Sequence, residues 1–317
     1  MPQTVKLACE AMATRWEFIL MGEDDQSLRS AGEEAIEEIQ QLERQMSFYD
    51  PASDVSRINR SASVQPVRVE PQLFSLLERC IQLSTLTDGA FDMTVAPLMQ
   101  LWGFVKRSLS IPNDDQLREA LIRVGSQYVE LNPDDYTIQF NRPGMLLDLG
   151  SVGKGYALDR VLEILREYEI KSALIHGGTS SIATIGTPLD GSEWRIGLEH
   201  PENYLNTDPS KDQQYLGYVV LEDESLGVSA VWGKAFQTED RTYGHVIDPR
   251  TGWPTTGAVY SAVRGRSNTD LDVLATAALV MGDAFSSLKS VGADGSLIYY
   301  SGADGLQCVE RKFPIVR

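Results

Sequence analysis

The sequence predicts an α+β fold, with mixed and largely antiparallel sheets and packed helices, and three observations carry that prediction. Two stretches read as hairpins, "YVELNPDDYTIQF" turning at Asn132 to Asp135 and "SLIYYSGADGLQCVE" turning at Gly302 to Gly305. Helical periodicity is confined to separate blocks and does not alternate regularly with strands, which argues against a repeated βαβ sheet. No internal repeat, low-complexity tract or long linker interrupts the 317 residues. The chain is therefore expected to fold as one body over residues 1–317, or as two intimately packed subdomains.

Taken in chain order, residues 27–45 place Leu28, Ala31, Ala35, Ile36, Ile39 and Leu42 at helical spacing, with acids and glutamines on the opposite face. A second helix follows Pro71, burying Leu73, Leu76, Leu77, Cys80, Ile81 and Leu83, and stops near Asp88-Gly89. A third opens on Asn113 as its cap and runs through Leu117, Leu121 and Ile122. Further helices are expected from about Lys154 and over roughly 271–282, with strands at 172–176, 182–185, 194–198, 215–221 and 258–264.

Composition excludes several partners. With 28 basic against 45 acidic residues the formal net charge is −17, which argues against a nucleic-acid groove or an anionic membrane surface. Cys9, Cys80 and Cys308 are far apart, with no paired spacing for zinc or dithiol chemistry, and are expected to act as small hydrophobes. No run approaches membrane-spanning length. The first twenty residues hold no apolar core of signal-peptide length, so the expected location is cytoplasmic as written, and periplasmic if a leader preceded Met1.

Four constellations could carry chemistry. The stretch "DLGSVGKGYALD", residues 148–159, sets Lys154 in a glycine-rich turn before a helix. It is not a P-loop, because Gly150 and Gly153 enclose only two residues and Gly155 stands where the metal-binding hydroxyl would be. It could still meet a phosphate through helix N–H groups and the lysine, or be a plain strand-to-helix turn. In "TDLDVLATAALVMG", Asp272 and Thr276 fall one helical turn apart at the expected helix start. A carboxylate and a hydroxyl suit a hard cation such as magnesium; the alternative is a residue favouring the helix dipole beside a threonine bonded back to a carbonyl.

The third, "YGHVIDPRTGWP", puts His245 ahead of a turn at Asp248 to Gly252, as a general base or as a structural histidine. The fourth, "TDGAFDMTVAPLMQLWGF", offers Ala90, Phe91 and Asp92 beside Trp102 and Phe104, either to stack on a flat ring and bond its edge or to pack a core.

Together and in this order, these pieces resemble the ApbE family of FAD:protein FMN transferases. The resemblance covers nearly the whole chain through "MATRWEFIL", "ERQMSFYDPASDVSRIN", "DGAFDMTVAPLMQLWGF", "LDLGSVGKGYALDRV", "IHGGTSSIATIG", "HVIDPRTGWP" and "DVLATAALVMG". It implies FAD as substrate, Mg2+ on its pyrophosphate, and an acceptor flavoprotein whose threonine or serine hydroxyl takes FMN through a phosphoester as AMP leaves. Carried over by position, Asp272, Thr276 and the Ser151 carbonyl are the implied metal ligands. Met12, Tyr49, Ala90, Phe91, Asp92, Asp148, Lys154, Gly177, Gly178 and Thr255 are the implied FAD contacts, and His245 the implied base.

Gly177 and Gly178 would then let backbone approach the ligand, and Tyr49 or Phe91 could stack on a ring. The chain departs from the pattern at Ala13, Thr179, Ala230 and Ala275. Two other readings fit the same residues: hydrolysis of FAD to FMN and AMP, or FAD binding without catalysis.

Overall fold

The computed structural model describes residues 2–105, 109–205, 214–232, 235–237, 242–282, 285, 292–302 and 305–317. It opens with a hairpin, β1 (Gln3–Ala11) and β2 (Thr14–Gly22), joined by Met12 and Ala13. Both turn residues have positive φ, 52° and 59°, the conformation of a two-residue type I′ turn that usually selects Asn-Gly. Neither is such a residue, so the turn carries no sequence signal. A left-handed conformation costs a non-glycine roughly 1–2 kcal/mol. Ala13→Gly is expected to raise the unfolding free energy by roughly 0.5–1 kcal/mol in denaturant melts, after its own entropy cost is subtracted. An unchanged or lower midpoint would show that the turn is not strained.

Helix α1 (Asp25–Met46) is capped by Asp24, which accepts from Gln26 N, and buries Leu28, Ala31, Ala35, Ile39 and Leu42, the stripe its periodicity specifies. Ser53 caps the short α2 (Asp54–Ser61). After β3 (Val67–Arg68) come α3 (Pro71–Leu86), with its proline in the first turn, and α4 (Ala96–Leu101). α5 (Asp114–Leu121) starts at a reciprocal capping box between Asn113 and Gln116. The predicted hairpin at Asn132 to Asp135 is β4 (Val129–Asn132) and β5 (Thr137–Phe140), and with β3 it makes a three-stranded sheet.

α6 (Gly153–Glu167), β6 (Ser172–Gly177), β7 (Ser181–Ile185), β8 (Trp194–Glu199), α7 (Glu202–Leu205), β9 (Tyr215–Leu221) and β10 (Ser225–Ala230) follow. Then come β11 (Ala235–Gln237), β12 (Thr242–Gly244), β13 (Ala258–Gly265), α8 (Asn268–Met281), β14 (Ala293–Gly302) and β15 (Gly305–Arg311). The hairpin expected across Gly302 to Gly305 is β14 paired with β15; positions 303–304 of its turn lie outside the described residues.

The main sheet has eight strands in the order β1-β2-β6-β7-β10-β13-β14-β15, with antiparallel pairing at every step, so the predicted antiparallel α+β class is the one observed. Side chains alternate between its faces. On one, Trp16, Phe18 and Leu20 of β2 join α1 and α6 in the largest core, while Val263 of β13 and Ile298 of β14 pack against α8. On the other, Tyr260, Ala262 and Leu297 pack with Leu198, Val219 and Leu221 from the two-stranded β8–β9 sheet and with Phe313.

α8 is buried on nearly all sides, and from Asn268 to Leu279 Thr276 alone is not buried. Its seat depends on close backbone approach. A side chain at Gly155 of α6 would place Cβ 2.1 Å from the Asn268 carbonyl oxygen. Gly155→Ala is thus expected to push α8 off α6 and cost about 1–3 kcal/mol or more, read as a fall in melting temperature. An unshifted melting temperature would contradict this packing.

Candidate active site at the crossing of α6 and α8

The first turn of α6 has no cap of its own, because Val152 precedes it and offers no side-chain acceptor. Asp272 supplies one from α8: its Oδ2 accepts the Gly155 N–H at 2.6 Å, and its Oδ1 accepts the Ser181 hydroxyl of β7 at 2.7 Å. Asp272 is buried, and burial pushes its carboxyl pKa up, opposed by the charge of Lys154 and by these two hydrogen bonds. α8 begins at Asn268, capped by Ser267, so Asp272 stands in the second turn and not at the helix start as expected from sequence.

Thr276 lies one turn on. Its Oγ1 donates to the Asp272 carbonyl at 3.1 Å, the back-bond weighed as the alternative above, and lies 3.2 Å from the Ser229 hydroxyl of β10. A donated proton leaves the hydroxyl's lone pairs available, so the back-bond and a metal contact are compatible. The donor set of one carboxylate and one hydroxyl is all oxygen, and among the described residues no group of three or more His, Cys, Asp or Glu could hold a metal by itself. That chemistry fits Mg2+, which keeps waters and phosphate oxygens as its other ligands, and does not fit zinc. Ser151 is half-buried in the turn before α6, beside the capped end of the helix.

Lys154 is half-buried in the same first turn. Asp148, upstream, closes the turn by accepting Gly150 N–H at 2.8 Å. Partial burial and then the Asp148 charge raise the Tyr49 phenol pKa, so the two groups are neighbours, and the Tyr49 side chain is 64% exposed. Phe91, by contrast, is 2% exposed within the main core, so it is not available to stack on a ligand. Ala90 and Asp92 are buried too, and the Asp92 carboxylate is filled by Thr94 N and Oγ1, Ser126 N and Oγ, and Ser84 Oγ. Of the two readings open for the Phe91 and Asp92 side chains, gripping a ring and its edge or packing a core, the structure places them in the second: they hold the core and the loop at Ser126.

Gly177 and Gly178 close the β6–β7 turn against the N-terminal hairpin. A Cβ at Gly177 would meet the Trp16 indole at 3.0 Å, and one at Gly178, where φ is +65°, the Thr14 hydroxyl at 2.5 Å. The close approach they permit in this structure is to the hairpin. Met12, in that hairpin's turn, is tied to α1 by its N–H on Glu43 Oε1 at 2.6 Å.

His245 follows β12, half-buried, with Nδ1 turned into the protein. The next residue, Val246, packs in the α8 core. Thr255 fixes the far end of the loop, its N–H on Val246 O and its hydroxyl on Leu279 O of α8, each at 2.8 Å. Between them the Asp248 turn is braced by a two-point Arg250–Asp248 pair and by the Trp102 indole on Gly252 O at 2.8 Å. Trp102 and Phe104 form a satellite core with Leu98, Leu117 and Ile247, so the aromatic cluster packs the protein.

The fold thus gathers Asp272, Thr276, Lys154 and the Ser151 turn at one crossing, and anchors the His245–Thr255 loop to the same helix. Sequence reasoning missed Ser181 and Ser229. Both stand on strands, and only the sheet order that sets β7 and β10 under α8 reveals them.

Residues 12–291 match the family model described as the ApbE family. The chain is 31% identical over 264 residues to the FAD:protein FMN transferase of Vibrio cholerae serotype O1, covering 82% of this chain and 75% of that one. In structure it is similar to the ApbE protein from Thermotoga maritima, with a TM-score of 0.86 at 26% identity over 98% and 97% of the two chains. It is also similar to the flavin transferase ApbE from Vibrio cholerae, with a TM-score of 0.85 at 25% identity over the whole of both chains.

Proposed function

The chain belongs to the ApbE family, and from that premise we propose that it is an FAD:protein FMN transferase working at the α6–α8 crossing. The observation that carries the reading is Asp272: a buried carboxylate set against the first turn of α6, one turn from the single position of Asn268–Leu279 that is not buried. FAD is the substrate, and the acceptor is a flavoprotein presenting a threonine or serine hydroxyl. Among the described residues no helix is long and apolar enough to cross a membrane.

In this reading the acceptor oxygen bonds to the phosphorus on the riboflavin side of FAD, the bridging bond breaks, and AMP departs with the other phosphate. Mg2+, held by the Asp272 carboxylate, the Thr276 hydroxyl and the Ser151 carbonyl, would neutralise charge on the pyrophosphate. Lys154 and the N-terminal end of α6 stabilise the same anionic oxygens. His245 takes the acceptor hydroxyl's proton. Tyr49 supplies an exposed ring for the flavin nucleotide, with Asp148 beside it, while Met12, Gly177, Gly178, Thr255 and the backbone of Ala90, Phe91 and Asp92 complete the proposed FAD contacts. Catalysis is then mainly positioning and charge stabilisation, as for other phosphoryl transfers.

The test is incubation with FAD and a flavin-acceptor domain, with Mg2+ or with a chelator. Flavin fluorescence that stays on the acceptor through denaturing electrophoresis, only with Mg2+, is the expected result. AMP and free FMN without labelled acceptor would establish hydrolysis instead, and bound FAD with no turnover would leave a binding protein.

A further inference from the structure

α6 and α8 cap each other. Asp272 of α8 receives the Gly155 N–H of α6, and in return Asp159 of α6 accepts four hydrogen bonds from the first two residues of α8. Its Oδ1 takes Asn268 N and Nδ2, both at 2.9 Å, and its Oδ2 takes Thr269 N at 2.8 Å and Thr269 Oγ1 at 2.6 Å. Gly155 and Asp159 are one turn apart on α6, as are Asn268 and Asp272 on α8, so the two rungs lie on facing stripes of a crossed pair. The absent Gly155 side chain sets the helix separation, and nothing about that contact sets the axial position.

Axial position matters to the site. Of the buried α8 residues only Val273 and Ala277 share the main core with α6, too few to specify register by themselves. A slip of one residue moves a helix about 1.5 Å along its axis and turns it about 100°, which would carry Asp272 away from Gly155. Four directional bonds into one carboxylate forbid that slip, and Arg79 of α3 secures the next residue, Asp270, through bonds of 2.9 and 2.5 Å.

The geometry points to Asp159 as a positioning residue for the transfer reaction. It locks the register of α8 on α6 and so keeps Asp272 and Thr276 opposite the Ser151–Gly155 turn. It touches neither substrate nor metal in this reading, and the inference rests on the function proposed above.

The test is a Mg2+ titration read in two ways, as FMN transfer and as calorimetric binding to the FAD-loaded protein. Wild type, Asp159→Asn, Thr269→Val and Thr269→Ser are compared with Ile39→Val and Ile39→Ala, core substitutions on α1 that lower stability without reaching the crossing. Asp159→Asn is expected to raise the half-saturating Mg2+ about tenfold in both readouts, the low end of the loss seen when support for a metal ligand is removed. Thr269→Val should shift it less in the same direction, Thr269→Ser should restore it, and the α1 variants should leave it unchanged at comparable melting temperatures. If Asp159→Asn does not fold, the two Thr269 variants decide. An unchanged Mg2+ requirement in the Asp159 and Thr269→Val variants, or an equal shift in the α1 variants, overturns the proposal while the proposed function stands. A wild type indifferent to Mg2+ overturns the metal reading, and this proposal with it.

Discussion

Asp272→Asn is expected to fold nearly as well as the wild type and to lose FMN transfer by about three orders of magnitude. The two halves of that expectation come from one environment. The carboxylate is buried and its charge is disfavoured there, so a neutral amide of the same shape relieves a desolvation cost while its oxygen can still accept the Gly155 N–H. A divalent ion needs the charge. Several kcal/mol of charge stabilisation, at 1.36 kcal/mol per decade, gives a loss of about 10³-fold.

Asp272→Ala should match that loss of transfer and also lower stability by about 1–3 kcal/mol, because the Gly155 N–H and the Ser181 hydroxyl are left buried without their acceptor. An exposed ligand would be removed without cost to the fold. Burial of Asp272 reverses that expectation for alanine and keeps it for asparagine. Transfer by the Asn variant at the wild-type rate with Mg2+ would leave Asp272 as a helix cap and nothing more.

His245→Ala carries the second large effect. Its loop is held by Thr255 on Leu279, by the Asp248–Arg250 pair and by Trp102 on Gly252, and none of these three contacts involves the imidazole, so the loop should survive the substitution. FAD affinity, read from flavin fluorescence, should be unchanged, while transfer falls about 10²–10⁴-fold, mostly in kcat. A variant with the wild-type rate would remove His245 from the chemistry. A variant that loses FAD binding in proportion to rate would assign it to the binding site.

How much of this was legible in the sequence follows the range of the forces involved. Elements specified by their own residues were readable: the α1 stripe, Pro71 opening α3, the Asn113–Gln116 box of α5, and strands β6, β8, β9 and β13. The β1–β2 hairpin was not, because Met12 and Ala13 occupy a turn that normally advertises itself with glycine or asparagine. α8 starts three residues earlier than its hydrophobic pattern suggests, since Asp159, more than a hundred residues upstream, stabilises Asn268 and Thr269 at its start.

The site divides in the same way. Asp272, Thr276, Lys154 and His245 are chemically conspicuous residues in recognisable stretches. Ser181 and Ser229 are ordinary strand serines until the sheet order places them under α8. Which of the two readings open for Asp92 and Phe91 holds for their side chains is not legible, because sequence cannot show that Thr94 and Ser126 occupy the one and the main core encloses the other.

The central claim is that one crossing of two helices holds both the metal and the FAD pyrophosphate. A crystal structure with FAD and Mn2+, located by its anomalous signal, tests it most directly. The metal is expected against the Asp272 carboxylate, the Thr276 hydroxyl and the Ser151 carbonyl, with Lys154 on the pyrophosphate. Metal and pyrophosphate bound away from these residues, with Asp272 still joined only to Gly155 and Ser181, would contradict it.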